Sequence, residues 1–115
     1  MNGRNPTKTE RRWLAAITDL GCIVCLREHG QASPASPHHI DGSQNPGAHL
    51  RTIPLCWAHH QGGSDGSKEP YVSRHPFKAR FEEAYGPEHW LLYDTAHRVG
   101  WAFDEETNQP IGSEA

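Results

Sequence analysis

The sequence predicts a small α+β domain: a zinc-stapled ββα unit with flanking helices. Three observations carry that expectation. Cys22-x2-Cys25 and Cys56-x2-His59 are two ligand pairs with the spacing of a tetrahedral zinc knuckle. Two short extended runs, 36–40 and 49–55, flank the turn cluster DGSQNPG and lead into a helix start at Ala58-His59-His60. Finally, only 35% of the 115 residues are hydrophobic, a thin core for a chain that buries about two-thirds of its unfolded surface.

The length suits one domain. No apolar run approaches the roughly 20 residues of a bilayer-spanning helix, and MNGRNPTKTE contains no leader-like apolar segment. A cytoplasmic, membrane-free setting is therefore the expectation. Three cysteines cannot all pair, and nine histidines beside them point to metal instead. The formal charge of −3 is unevenly spread: residues 1–80 carry +4 and residues 81–115 carry −7. The acidic excess at Asp104, Glu105, Glu106 and Glu114 lies away from the histidine-rich segment. It weakens a nucleic-acid-binding reading without excluding one.

Residues 1–6 are expected to be a flexible N-terminus, 7–103 the folded domain and 104–115 a disordered acidic tail. Thr7-x-x-Glu10 is a capping box. Trp13, Ala16, Ile17 and Leu20 behind it form a helical stripe that Gly21 terminates. Arg11 and Arg12 fall off the stripe and face water or phosphate. The stretch after Cys25 is expected to be a loop as far as Pro37, and 62–74 another. A helix is expected from His75-Pro76 through Tyr85, with Phe77 and Phe81 on its apolar side. A last helix starts at Pro87, its apolar face comprising Trp90, Leu91, Tyr93 and His97.

The cysteine-rich constellation is expected to hold structural Zn²⁺ through Cys22, Cys25, Cys56 and His59, leaving no open position. A redox pair at Cys22/Cys25 and unrelated buried thiols are the alternatives. The second constellation is His38-His39, His49, His60 and His75. Neighbours on a strand point to opposite faces, and successive helical side chains diverge by about 100°. One member of each His-His pair can therefore hold a cation while the other does separate work. A cation on the phosphate with a free imidazole as base is what a one-metal nuclease needs. His29, His89 and His97 are assigned no chemistry.

SPHHI, HLRTIPLCWAHHQG and HPFKARFEEAYG resemble the HNH (His-Me finger) endonucleases, and within them the phage recombination-enhancement (Ref-like) nucleases. The resemblance spans about residues 20–92. It implies a metal-dependent DNA endonuclease with His39 as general base and with His38, His60 and His75 holding a catalytic divalent ion, Mg²⁺ or another. His49 occupies the place of the base-orienting Asn or Asp, a departure from the pattern. Arg51, Lys68, Arg74, Lys78 and Arg80 flank the ligands and are candidate phosphate contacts. The expected partners are DNA and a recombinase filament that presents it, in a phage or prophage protein working in a bacterial cytoplasm. The competing reading is a non-catalytic zinc-binding adaptor for nucleic acid or protein that keeps the fold.

Overall fold

Helix α1 (Lys8–Leu20) starts where the capping box places it. Thr7 Oγ1 accepts from the Glu10 amide at 3.1 Å, and the Thr7 amide donates to Glu10 Oε1 at 2.7 Å. Its inner face is Trp13 and Ile17, both fully buried. A buried indole N–H needs an acceptor, and Trp13 Nε1 finds Thr52 Oγ1 at 2.9 Å. Gly21 ends the helix at φ +94°, and a Cβ there would lie 2.9 Å from the Ser33 carbonyl oxygen. We predict that Gly21→Ala destabilises the fold by about 1–3 kcal/mol, the usual range for a forced backbone conformation. A thermal melt superimposable on the wild type's would refute this.

The computed structural model describes residues 5–113 apart from 43, 46 and 70. Residues 1–4 of the expected flexible N-terminus, and 114–115 of the expected acidic tail with Glu114 among them, therefore lie outside the described residues.

A second helix, α2 (Ile23–His29), replaces the start of the expected loop. Its N-cap is the Cys22 thiol, which accepts from the Cys25 amide at 3.5 Å, and Gly30 closes it in the left-handed conformation. At seven residues it is too short to stand on propensity. Burial of Ile23 and Val24 holds it.

Strand β1 (Ser36–His39) pairs antiparallel with β2 (Thr52–Leu55), in a register that sets His38 opposite Ile53 and His39 opposite Thr52. The second strand starts later than expected. Gly47 adopts φ +78° and leads into a 3-10 turn, Ala48–Leu50, which carries His49. All four β2 residues are buried, so the strand forms the floor of the domain. It runs into the four-residue helix α3 (Trp57–His60).

The segment 61–77 is anchored at its return. Asp65 bridges Val72, and Val72 and Ser73 are buried. Helix α4 (Lys78–Tyr85) begins three residues beyond His75, which leaves that histidine in the preceding turn. Helix α5 (Glu88–Arg98) turns a different face inward from the one expected: Leu91, Leu92, Thr95 and Ala96 are buried, while Trp90 is 64% and Tyr93 50% exposed. The Leu91–Leu92 and Thr95–Ala96 pairs sit four residues apart and make a tighter stripe than the larger aromatics.

The acidic end departs from what its composition predicts. Where composition predicts disorder from 104, the chain folds as a hairpin of β3 (Trp101–Asp104) and β4 (Gln109–Ser113). A boundary at 103 would cut through β3. The hairpin is held by burial of Trp101, packed edge-on against Trp13 at 5.2 Å. Arg51 also ties it to the first sheet by donating to the Asn108 carbonyl. The architecture is α+β, with five helices and two two-stranded sheets among the described residues. Among the described residues, no helix is long and apolar enough to cross a membrane.

Candidate metal centres

Both helices that follow a cysteine start at a ligand pair. Cys22 caps α2 and Cys25 lies in its first turn; Cys56 caps α3 and His59 lies in that helix. Residues three apart share a helix side, so each pair is brought together by local geometry alone. Packing of α2 against β2, the strand leading into α3, then joins the pairs.

The His59 Nδ1 atom lies 3.2 Å from Cys56 Sγ, 3.5 Å from Cys22 Sγ and 3.6 Å from Cys25 Sγ, while Cys25 and Cys56 sulfurs are 3.8 Å apart. A zinc ion about 2.3 Å from each sulfur and about 2.0–2.1 Å from nitrogen gives tetrahedral edges of roughly 3.8 and 3.6 Å. These four side chains therefore fit zinc. Burial pushes the Cys22 thiol up to about 12 and, followed by the charge of His29, pulls His59 down to about 4. Burial also raises Cys56, but the His59 amide and hydrogen bonds from Cys22, Cys25 and Ser33 outweigh it and leave that thiol lowered. Cys22 does stand at a helix start, where a redox cysteine belongs. Its thiol is nevertheless shifted in the direction opposite to an activated nucleophile. All three cysteines are free of disulfides.

The second cluster gathers His38, His60 and His75. Their ring centroids form a near-equilateral triangle of 5.0, 5.1 and 5.2 Å. One ring nitrogen from each lies within 4.8 Å of the others. A single ion can thus bridge segments distant in sequence. What brings His75 back is backbone pairing: the His75 amide donates to the His60 carbonyl at 2.8 Å, and the Arg74 amide to the His59 carbonyl at 2.7 Å. Burial and the neighbouring His38 and His75 charges lower His60 to about 4, and burial and His38 lower His75 as well. Both rings are neutral near pH 7 and keep a lone pair for a cation.

Behind His38 lies a residue that sequence reasoning missed. Glu88 is 3% exposed, and its Oε2 sits 2.7 Å from His38 Nε2 and 2.9 Å from Arg74 Nε. Burial raises the Glu88 carboxyl, but the hydrogen bonds from His38 and Arg74 prevail and hold it below the usual range. An ionised carboxylate only accepts, so His38 Nε2–H is the donor of that bond and Nδ1 is the nitrogen that could serve an ion. Carboxylate, histidine and ion in a row are a common means of fixing a ligand's tautomer.

His39 points elsewhere. Its Nε2 is 3.0 Å from Nδ1 of His49, which is 7% exposed. Burial lowers His39 first, and the charges of His49 and His38 add to that. The 3-10 turn bearing His49 is pinned through its carbonyl, which accepts from Thr52 Oγ1 at 2.9 Å, and Thr52 is held in turn by Trp13.

The five candidate phosphate contacts divide into two groups. Arg74 is 12% exposed and engaged with Glu88, while Arg51 pairs with Asp41 and with the hairpin. Both are thus engaged within the fold. Lys68 and Lys78 are exposed without an ion pair among the described residues, and Arg80 makes only a long contact of 3.9 Å to Glu83. His29, His89 and His97, assigned no chemistry, are exposed.

Among the described residues, two clusters could hold a metal ion, one closed and sulfur-rich and one of three imidazoles. The family of recombination-enhancement, RecA-dependent nucleases matches residues 6–99, and the chain belongs to it. A nuclease role in recombination follows from that membership.

Proposed function

We propose that this chain is a metal-dependent DNA endonuclease of the HNH type, with β1, β2 and α3 as its ββα core. The observation that carries the reading is the convergence of His38, His60 and His75 on one point, next to a hydrogen-bonded pair, His39 and His49, left outside it. Cys22, Cys25, Cys56 and His59 hold a structural zinc. The histidine trio holds the catalytic ion.

That ion would supply positive charge against the phosphate and the departing oxygen. Everything else belongs to the protein. His39 takes a proton from the attacking water. Its lowered affinity for protons keeps the ring unprotonated and available near pH 7. His49 hydrogen-bonds the far nitrogen of the base and fixes its rotamer and tautomer, a task an imidazole performs because it can donate or accept. Glu88 and Arg74 hold His38 from behind. Lys68, Lys78 and Arg80 remain as cations for the DNA backbone.

Three imidazole nitrogens suit Mn²⁺, Ni²⁺ or Zn²⁺ better than Mg²⁺, which prefers oxygen ligands. The donor set thus favours a transition ion over the Mg²⁺ named among the sequence expectations. The test is plasmid nicking with Mn²⁺, Mg²⁺ or EDTA, with and without a recombinase filament on the DNA. The expected result is metal-dependent cleavage that EDTA abolishes. Cleavage unaffected by EDTA, or none under any of these conditions, overturns the assignment.

Glu88→Gln provides a separate check, since it keeps the shape and removes the charge. The expected result is about 10–100-fold weaker Mn²⁺ or Co²⁺ binding at the trio, with the zinc content at the cysteines unchanged. Equal affinity in wild type and variant would mean that Glu88 does not position His38.

A further inference from the structure

Helix α5 has two working sides. Glu88 and the leucines face inward, whereas Trp90 and Tyr93 lie roughly 200° and 140° around the helix from Glu88. With Phe103 of β3 they wall a groove of about 280 Å³, completed by His89, Glu105 and Asn108. Its shape is set by Tyr93 and Phe103, whose rings meet edge-to-face at 5.4 Å. Trp90 and Tyr93 are two of the most exposed large hydrophobic residues in the domain. Exposed aromatics grouped around a concavity mark an interaction surface, because Trp and Tyr are its usual anchors.

The charge at the rim selects the occupant. Asp104, Glu105 and Glu106 stand at the hairpin end without an ion pair among the described residues. Nearby cations are already engaged: Arg98 with Asp94 at 3.0 Å, Arg27 with Asp94 at 2.7 Å, and Arg51 with Asp41. The unpaired charge is therefore negative and repels phosphate. Aromatic faces beside carboxylates suit a guanidinium or ammonium, which stacks on the rings and pairs with the acid.

We propose that this groove docks an arginine- or lysine-bearing surface segment of the recombinase filament. The proposal rests on the nuclease reading for the identity of that partner. None of the groove-lining residues belongs to the cysteine–histidine cluster or to the histidine trio.

The experiment measures binding of the full zinc-loaded chain to a recombinase filament assembled on single-stranded DNA, without added catalytic metal. Trp90→Ala and the double charge reversal Glu105→Lys/Glu106→Lys are each expected to weaken binding at least about tenfold. Melting temperature and zinc content should not change. His39→Ala should bind like wild type, which separates docking from catalysis. Filament affinity within twofold of wild type in both groove variants overturns the proposal, as does a wild-type chain that does not bind the filament. If the charge reversal strengthens binding, to the filament or to bare DNA, the occupant is nucleic acid and the proposal falls. None of these outcomes depends on whether the chain cleaves, so the nuclease reading stands or falls on the nicking assay alone.

Discussion

Cys25→Ala is expected to unfold the domain, the cysteine cluster holding zinc as proposed. The size of the effect follows from comparing two magnitudes. Structural zinc in small domains contributes about 10–16 kcal/mol of apparent binding free energy at neutral pH, whereas the whole stability of a domain is about 5–15 kcal/mol. Losing one of four ligands need remove only part of the first to exhaust the second. The position of the cluster sharpens the case, because it joins the starts of two helices, of seven and four residues, that cannot persist alone. Removing the knot at Cys25 releases α2 from α3 and exposes Ile23 and Val24, which are fully buried. The expected result is loss of bound zinc together with loss of the cooperative thermal transition. EDTA at a concentration that strips wild-type zinc should reproduce the effect. A variant that lost its zinc and still melted cooperatively near the wild-type temperature would show that the core suffices without the staple.

What the sequence discloses here depends on how local the cause is. Helix α1 was legible because its capping box and apolar stripe lie within fourteen residues, from Thr7 to Leu20. The ligand pairs were legible for the same reason, their three-residue spacing being fixed by one turn. Helix α2 was missed because its cap is a thiol rather than a hydroxyl or carboxylate. The 101–113 hairpin was missed because Trp101 packing on Trp13, a contact across most of the chain, outweighs an acidic turn composition. Face assignment failed on α5 for a related reason: large aromatics usually turn inward, yet here smaller residues fit against β2 and leave Trp90 and Tyr93 outside. In the candidate site, Glu88 was illegible because it reaches His38 from fifty positions away. The Glu88 partner of Arg74, fourteen positions on, is illegible for the same reason. His49, the residue that departs from the Asn or Asp pattern, lies in a 3-10 turn rather than a strand, and that turn lets its ring meet His39.

The His39–His49 pair carries the second large effect. A general base contributes typically about 10²–10⁴-fold to rate, roughly 2.7–5.5 kcal/mol of barrier. His39→Ala should therefore lower metal-dependent nicking by at least about a hundredfold. Its structural cost is smaller, because His39 is only half-buried and the loss removes one hydrogen bond, to His49, about 0.5–1.5 kcal/mol. The variant should consequently fold, retain zinc and bind Mn²⁺ at the trio as wild type does. His49→Ala tests whether one residue acts through the other. If His49 only orients His39, its removal slows the wild type, by less than His39→Ala does, and adds nothing in the His39→Ala background. Additive losses would instead give His49 a role of its own at the phosphate. Full activity in His39→Ala would remove it as the base. A wild-type chain inert with every metal, yet still able to bind DNA or the filament, would favour the adaptor reading, in which the same histidines serve only to hold an ion.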